Sequence, residues 1–305
     1  MFRLIHRIGL IRGLSTQSVN HLVDSLASTI SGVERETLEN MLKSIPQLTR
    51  YGPDLWQRTY GLIAQEGFET ANFLSIVTGY PEVLMHNPDR LAASLSCWRS
   101  CQFGDKQMQI LLAAHPHLLE LTDHNRLAQR VAFLHSHFET RKNIWRLFLN
   151  SPNLVADSQA KIQAKIDYIL QRMRIEVLEV VKSCAFSSDL ETIQCRHVFL
   201  ERLGLFKPRK LKATPSELSN NPKLHQITDT SDKRFAVKVA YVTLEEFEVF
   251  QELFRREQNE SQHGEDFDGI DASENEHDNG GEFDEIGEQK MRKHNYRKES
   301  KSRSI

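Results

Sequence analysis

Four stretches of the chain share one frame: Leu42-Lys-Ser-Ile45-Pro46-Gln-Leu48, Ile76-Val77-Thr-Gly-Tyr80-Pro81-Glu-Val83-Leu84, Ile110-Leu111-Leu112-Ala-Ala-His-Pro116-His-Leu118-Leu119 and Leu147-Phe148-Leu149-Asn-Ser-Pro152-Asn-Leu154. The prolines are 35, 35 and 36 residues apart. Self-similarity at a fixed period of this size marks a solenoid, whose units bury their apolar faces only against their neighbours. Solenoids are extended binding surfaces, so the repeat directs the search for function towards recognition.

Around each proline the apolar period is helical. Ile110, Leu111 and Ala114 predict one stripe before Pro116, and Leu127, Val131, Leu134 and Phe138 recur afterwards at steps of 4, 3 and 4. Ile162, Ile166, Ile169 and Met173 do the same in the fourth unit. Proline removes a donor and clashes with the preceding turn, so it cannot lie inside the first helix. Each unit therefore reads as helix, tight proline turn, helix. A fifth has Cys184 in place of proline, then Phe186, Ile193, Phe199, Leu200 and a helix end at Leu203-Gly204. Pro208, Pro215 and Pro222 mark an irregular connection into a last segment, 224–256. The expected fold is all-α, a helical repeat solenoid of about five to six units over residues 35–256. A proline in mid-unit excludes tetratricopeptide repeats and argues against pentatricopeptide ones, and the Thr-Pro-Leu-His turns of ankyrin units are absent.

Within 305 residues, a formal net charge of -2 conceals unlike regions. Residues 1–15 carry Arg3, Arg7 and Arg12 with no acid, and Leu4, Ile8 and Ile11 fall on one helical face. Bases interrupt every apolar run, which excludes a secretory signal and predicts a mitochondrial presequence over residues 1–20. Residues 257–289 hold 13 acids and no Lys or Arg, whereas 290–305 hold seven bases and Glu299 alone. High charge with few apolar residues predicts a disordered tail over 257–305, first acidic and then basic. No apolar run reaches the length of a membrane span.

Enzyme signatures fail one by one. The chain has no phosphate-binding Gly-x-x-x-x-Gly-Lys-Ser/Thr loop, no Gly-x-Gly-x-x-Gly and no Gly-x-Ser-x-Gly elbow. Cys97 and Cys101 flank Trp98 but lack a second pair at zinc spacing, so they read as small apolar core residues. Cys195 with His197 is too little for a site, and His115 and His117 read as turn-surface histidines. No catalytic residue, metal or cofactor is expected.

The bases, by contrast, form a pattern. Arg90, Arg126 and Lys161 lie 9, 10 and 9 residues after their prolines, at the entry to each second helix. Arg130 and Lys165 sit one turn further on. Equivalent positions of a solenoid line up, so these five predict a cationic stripe for a phosphate backbone, with Arg172, Arg196 and Arg202 as further contacts. No residue identifies itself as a base reader, which leaves RNA and duplex DNA both open. In the last segment Thr243 and Glu246 form a capping box. The apolar Leu244, Phe247, Val249, Phe250, Leu253 and Phe254 then occupy more than half the helical wheel. Either a partner takes part of that arc, through Val249, Phe250 and Leu253, or the helix tucks deeply against the 208–222 connection.

The leucine-rich helix, Pro-x-Leu turn and second helix, with Ile193-Gln-Cys-Arg-His-Val-Phe-Leu-Glu-Arg-Leu-Gly-Leu205 in the fifth unit, resemble the mitochondrial transcription termination factor (mTERF) family. Val242-Thr-Leu-Glu-Glu-Phe-Glu-Val-Phe-Gln-Glu-Leu-Phe254 and the acidic stretch after it are similar to the ending of the fourth animal subfamily, although the tail here is diluted with Asn, Gly and Ser and ends basic. The family includes duplex-DNA and RNA binders. Resemblance to the fourth subfamily implies the mitochondrial matrix, mitochondrial rRNA of the large ribosomal subunit, and an NSUN-type RNA cytosine-5 methyltransferase held at the C-terminal end. The function so implied is a non-catalytic RNA-binding adaptor. The alternative is a duplex-DNA-binding regulator of mitochondrial transcription.

Overall fold

The computed structural model describes residues 16–209 and 220–265, with side chains over 19–209 and 220–260. The described residues form fourteen α-helices and no strand. None of these helices is long and apolar enough to cross a membrane. Five units of helix, short 3-10 turn and helix follow one another. They are α2 (Arg35–Ser44) with α3 (Pro53–Gln65), α4 (Thr70–Gly79) with α5 (Pro88–Ser100), α6 (Asp105–Ala114) with α7 (His124–Phe138), α8 (Arg141–Asn150) with α9 (Gln159–Asp167), and α10 (Val177–Val181) with α11 (Leu190–Arg202). Before them comes α1 (Thr16–Thr29). After them come α12 (Leu224–Thr228), α13 (Asp232–Phe235) and α14 (Leu244–Glu265).

The proline does the same thing four times. Pro46, Pro81, Pro116 and Pro152 each open a 3-10 turn. The residue before a proline is pushed out of the helical region. Ile45, Tyr80, His115 and Ser151 accordingly adopt φ of -128, -150, -133 and -145°. Each still closes the first helix, donating its N–H to Met41, Ile76, Leu111 and Leu147 O at 2.8–2.9 Å. Its own carbonyl then accepts from the leucine or valine two residues past the proline, at 3.0–3.1 Å. That residue is buried in every case: Leu48, Val83, Leu118 and Leu154. Burial of one such side chain contributes about 1.5–3 kcal/mol, so the Pro-x-Leu motif both turns the chain and plugs the core. In the fifth unit Cys184 replaces proline, and Phe186 is the plug.

Second helices start at defined caps. Asn87, Asp123 and Ser158 accept the N–H of Asp89, Arg126 and Lys161 at 2.9, 2.9 and 3.3 Å. Gly204 ends α11 at φ +71°, where L side chains are strained, and Leu205 N–H folds back to Leu200 O at 2.9 Å. The expected stripes are inward on α7, and on α9 and the π-helical turn Tyr168–Arg172 that continues it, with Leu127, Leu134, Phe138, Ile162, Ile166, Ile169 and Met173 buried and Val131 half-buried.

Three expectations need correction. On α6 the buried stripe is Met108, Leu111 and Leu112, with Ile110 40% exposed and Ala114 outward, because the helical period counts from Met108. The array begins before residue 35: α1 buries Leu22, Val23 and Leu26, Ile30 just after it is buried too, and Val19 packs against the core. The expected presequence therefore runs into α1 at 16–20, and its residues 1–15 lie outside the described residues. One compact unit closes at Arg255, but α14 runs on to Glu265, past the expected start of the tail at 257. Arg, Glu and Gln are good helix formers, so charge alone does not stop the helix there. The rest of the tail, 266–305, lies outside the described residues.

Candidate nucleic-acid interface

Arg90, Arg126 and Lys161 occupy the first turns of α5, α7 and α9, just past the capping residues, and all three are exposed. Arg126 also donates Nη2 to Ala156 O at 3.1 Å, which holds its guanidinium beside the start of the fourth unit's second helix. Three consecutive units thus present one cation at the same structural position.

The row one turn further on points elsewhere. Lys165 is 7% exposed and donates Nζ to Phe186 O at 2.9 Å, and Arg130 donates Nη2 to Asp157 O. Arg196, 5% exposed, donates to Ile227 O at 2.6 Å and to the Asp232 carboxylate at 2.7 Å, with its guanidinium over the Phe235 ring. In the first unit Arg58 reaches Leu84 and His86 O at 3.3 and 3.2 Å. The second unit has Ser94 one turn past Arg90, and Trp98 donates Nε1 to Leu118 O at 3.0 Å instead. Short helical turns leave carbonyls that can accept further hydrogen bonds, and each second helix supplies a donor to the turn region that follows it. Burial is the main cause of the lowered pKa of Lys165 and of Arg130, with Lys161 and Arg126 adding like charge. Arg130, Lys165 and Arg196 are therefore joints between repeats. The expected five-residue stripe reduces to Arg90, Arg126 and Lys161.

The other expected contacts are exposed but engaged. Arg172 pairs with the Glu201 carboxylate at 3.5 Å, and Arg202 lies 5.2 Å from the centroid of the Phe250 ring. On α11, His197 is wholly buried against Tyr168 and Phe206, with its Nδ1 2.8 Å from the Tyr168 hydroxyl. Burial first, and the Arg172 charge second, push its pKa down to about 4. Cys97 and Cys101 are buried core residues, as their isolation implies, and burial pushes the Cys101 thiol up to about 12.

At the C-terminal end the capping box is formed, with Thr243 N–H donating to Glu246 Oε2 at 2.8 Å and Glu246 N–H to Thr243 Oγ1 at 3.2 Å. Phe247, Phe250 and Phe254 turn inward, and Phe199 meets Phe247 and Phe250 at centroid distances of 5.1 and 4.7 Å. Phe250 is thus core, because it lies one turn from both Phe247 and Phe254 on the inward face. Val249 and Leu253 remain outside, 72% and 46% exposed.

The sequence reading missed a groove of ≈ 640 Å³ beside α12 and α13, whose lining includes His225, Lys233, Arg234 and Lys238. Its signal was the run Asp232-Lys-Arg with Lys238 a turn later, hidden because the two acids nearby, Asp229 and Asp232, balance it on paper.

The family model described as mTERF matches residues 1–236. Over 180 residues the chain is 26% identical to mouse (Mus musculus) "Transcription termination factor 4, mitochondrial", a stretch that covers 58% of this chain and 51% of the mouse protein. The chain thus spans about half the length of the curated relative it matches.

Proposed function

The chain belongs to the mTERF family, and on that premise we propose that it is a non-catalytic nucleic-acid-binding protein of the mitochondrial matrix. It acts as an RNA-binding adaptor that brings an NSUN-type rRNA cytosine-5 methyltransferase to the large ribosomal subunit during assembly. The observation that carries the nucleic-acid part is the exposed cation at the first turn of three successive second helices, Arg90, Arg126 and Lys161. A polyanion crossing the units meets one cation per repeat and a positive helix end beside each. The adaptor part is supported by Val249 and Leu253, two apolar side chains one turn apart and exposed on the last helix.

The second reading is a duplex-DNA-binding regulator of mitochondrial transcription, favoured by the name of the mouse relative. Crosslinking in mitochondria followed by sequencing of the bound nucleic acid separates the two. Recovery of rRNA supports the adaptor, and recovery of mitochondrial DNA alone replaces it with the regulator.

A further inference from the structure

We infer that the groove beside α12 and α13 is a second nucleic-acid seat, which takes the phosphodiester backbone of a single strand while Tyr241 stacks on an unpaired base. This rests on the nucleic-acid reading above and extends it to residues outside the first-turn column.

The groove is lined by His225, Gln226, Lys233, Arg234, Val237 and Lys238 among others, with no acid in its wall. At ≈ 640 Å³ it is in the size range of small-ligand sites. Its charge is uncompensated for a structural reason. Both carboxylate oxygens of Asp229 accept the Cys184 N–H at 3.0 Å, and the Thr228 hydroxyl donates to the same group at 2.7 Å. Asp232 accepts from Arg196 at 2.7 Å. Both acids of the segment are thereby drawn into the joint with the fifth unit. Lys233, Arg234 and Lys238 stay exposed and form no ion pair among the described residues.

The π-helical turn Ala236–Ala240 that supplies Val237 and Lys238 ends at Tyr241, which is 77% exposed. Tyr241 sits at φ 58°, a left-handed conformation that a residue with a bulky side chain rarely adopts. The groove's lining runs to Val239, two residues before Tyr241 in the chain, and cations followed closely by an exposed aromatic ring are the elements by which proteins hold single strands, phosphates on the cations and bases on the ring.

The test uses the full chain and fluorescence anisotropy over a salt series. The probes are a labelled oligouridine, a DNA duplex of equal length and polyglutamate. Lys233→Ala/Arg234→Ala/Lys238→Ala should reduce the log–log salt slope for oligouridine by about 2, at ~0.7 per lost phosphate contact. Tyr241→Gly, which suits the left-handed backbone, should weaken oligouridine by about fivefold or more and leave the duplex unchanged. An unchanged slope in the triple variant overturns the seat. An unchanged oligouridine affinity in Tyr241→Gly overturns its assignment to single strands. Tight polyglutamate binding that only the triple variant loses gives the groove to an acidic protein instead. Failure of the first-turn column would appear separately, as unaltered binding by Arg126→Glu/Lys161→Glu, and no binding of either nucleic acid by the wild type would remove both.

Discussion

The Lys165 ammonium lies 2.9 Å from the Phe186 carbonyl oxygen, across the boundary between the fourth and fifth repeats. Four residues earlier on the same helix, Lys161 is exposed. One helix therefore carries two lysines with opposite duties, one joining repeats and one facing solvent.

Lys165→Met should destabilise the fold by about 1–3 kcal/mol, because it removes the charged one of two donors to the Phe186 carbonyl, leaving Asn153 Nδ2 at 2.8 Å alone, while keeping most of the side-chain volume. Lys161→Met should alter stability by no more than ~0.5 kcal/mol, as an exposed substitution. Urea titrations of both variants check this, and equal stabilities would reduce the joint to incidental contact.

Nucleic-acid binding should respond in the opposite order. Arg126→Glu with Lys161→Glu should weaken binding across unrelated sequences and reduce the salt slope by about 1.4 or more, at ~0.7–0.9 per phosphate contact. Helix content, read by circular dichroism, should stay at the wild-type level.

Stability should fall on acidification through His197. Its folded pKa of about 4 lies below the ordinary histidine value of 6.5, so the unfolded chain binds the extra proton first. The contribution is complete above pH 6.5 and is lost progressively as pH falls from 6.5 towards 4. It amounts to at most about 3 kcal/mol at 1.36 kcal/mol per pH unit. Chemical denaturation of wild type and His197→Gln across that range checks it. The variant should be less stable at neutral pH and should show a flatter pH dependence.

On the last helix, Val249→Asp and Leu253→Asp should abolish capture of the methyltransferase and leave folding and RNA affinity intact. An interface anchor is worth ~2 kcal/mol or more, a loss of about thirtyfold. Phe250→Asp should instead unfold the C-terminal end, since it places a charge inside the cluster of Phe199 and Phe247. Co-purification from mitochondria together with thermal melts distinguishes the outcomes.

The repeat was legible because Pro46, Pro81, Pro116 and Pro152 act locally: ring geometry restricts the preceding residue, and the leucine or valine two residues later must be buried. The capping box at Thr243 and the C-cap at Gly204 are equally local. What a one-dimensional reading could not reach was direction across a repeat boundary. Lys161 and Lys165 look alike in sequence, and only the placement of the Phe186 carbonyl turns the second inward. The groove was hidden for the same reason, since Asp232 neutralises Lys233 in a count of charges but is bonded to Arg196 in space. Phe250 falls inward, apart from Val249 and Leu253, and the sequence leaves that open because an apolar arc that wide does not show which side meets the array.

The most direct test of the central claim is crosslinking and sequencing of nucleic acid from mitochondria that express either wild-type protein or Arg126→Glu/Lys161→Glu. The expected result is enrichment of large-subunit rRNA with the wild type and its loss with the variant. Equal rRNA recovery from both proteins, or recovery of mitochondrial DNA without rRNA, would contradict it.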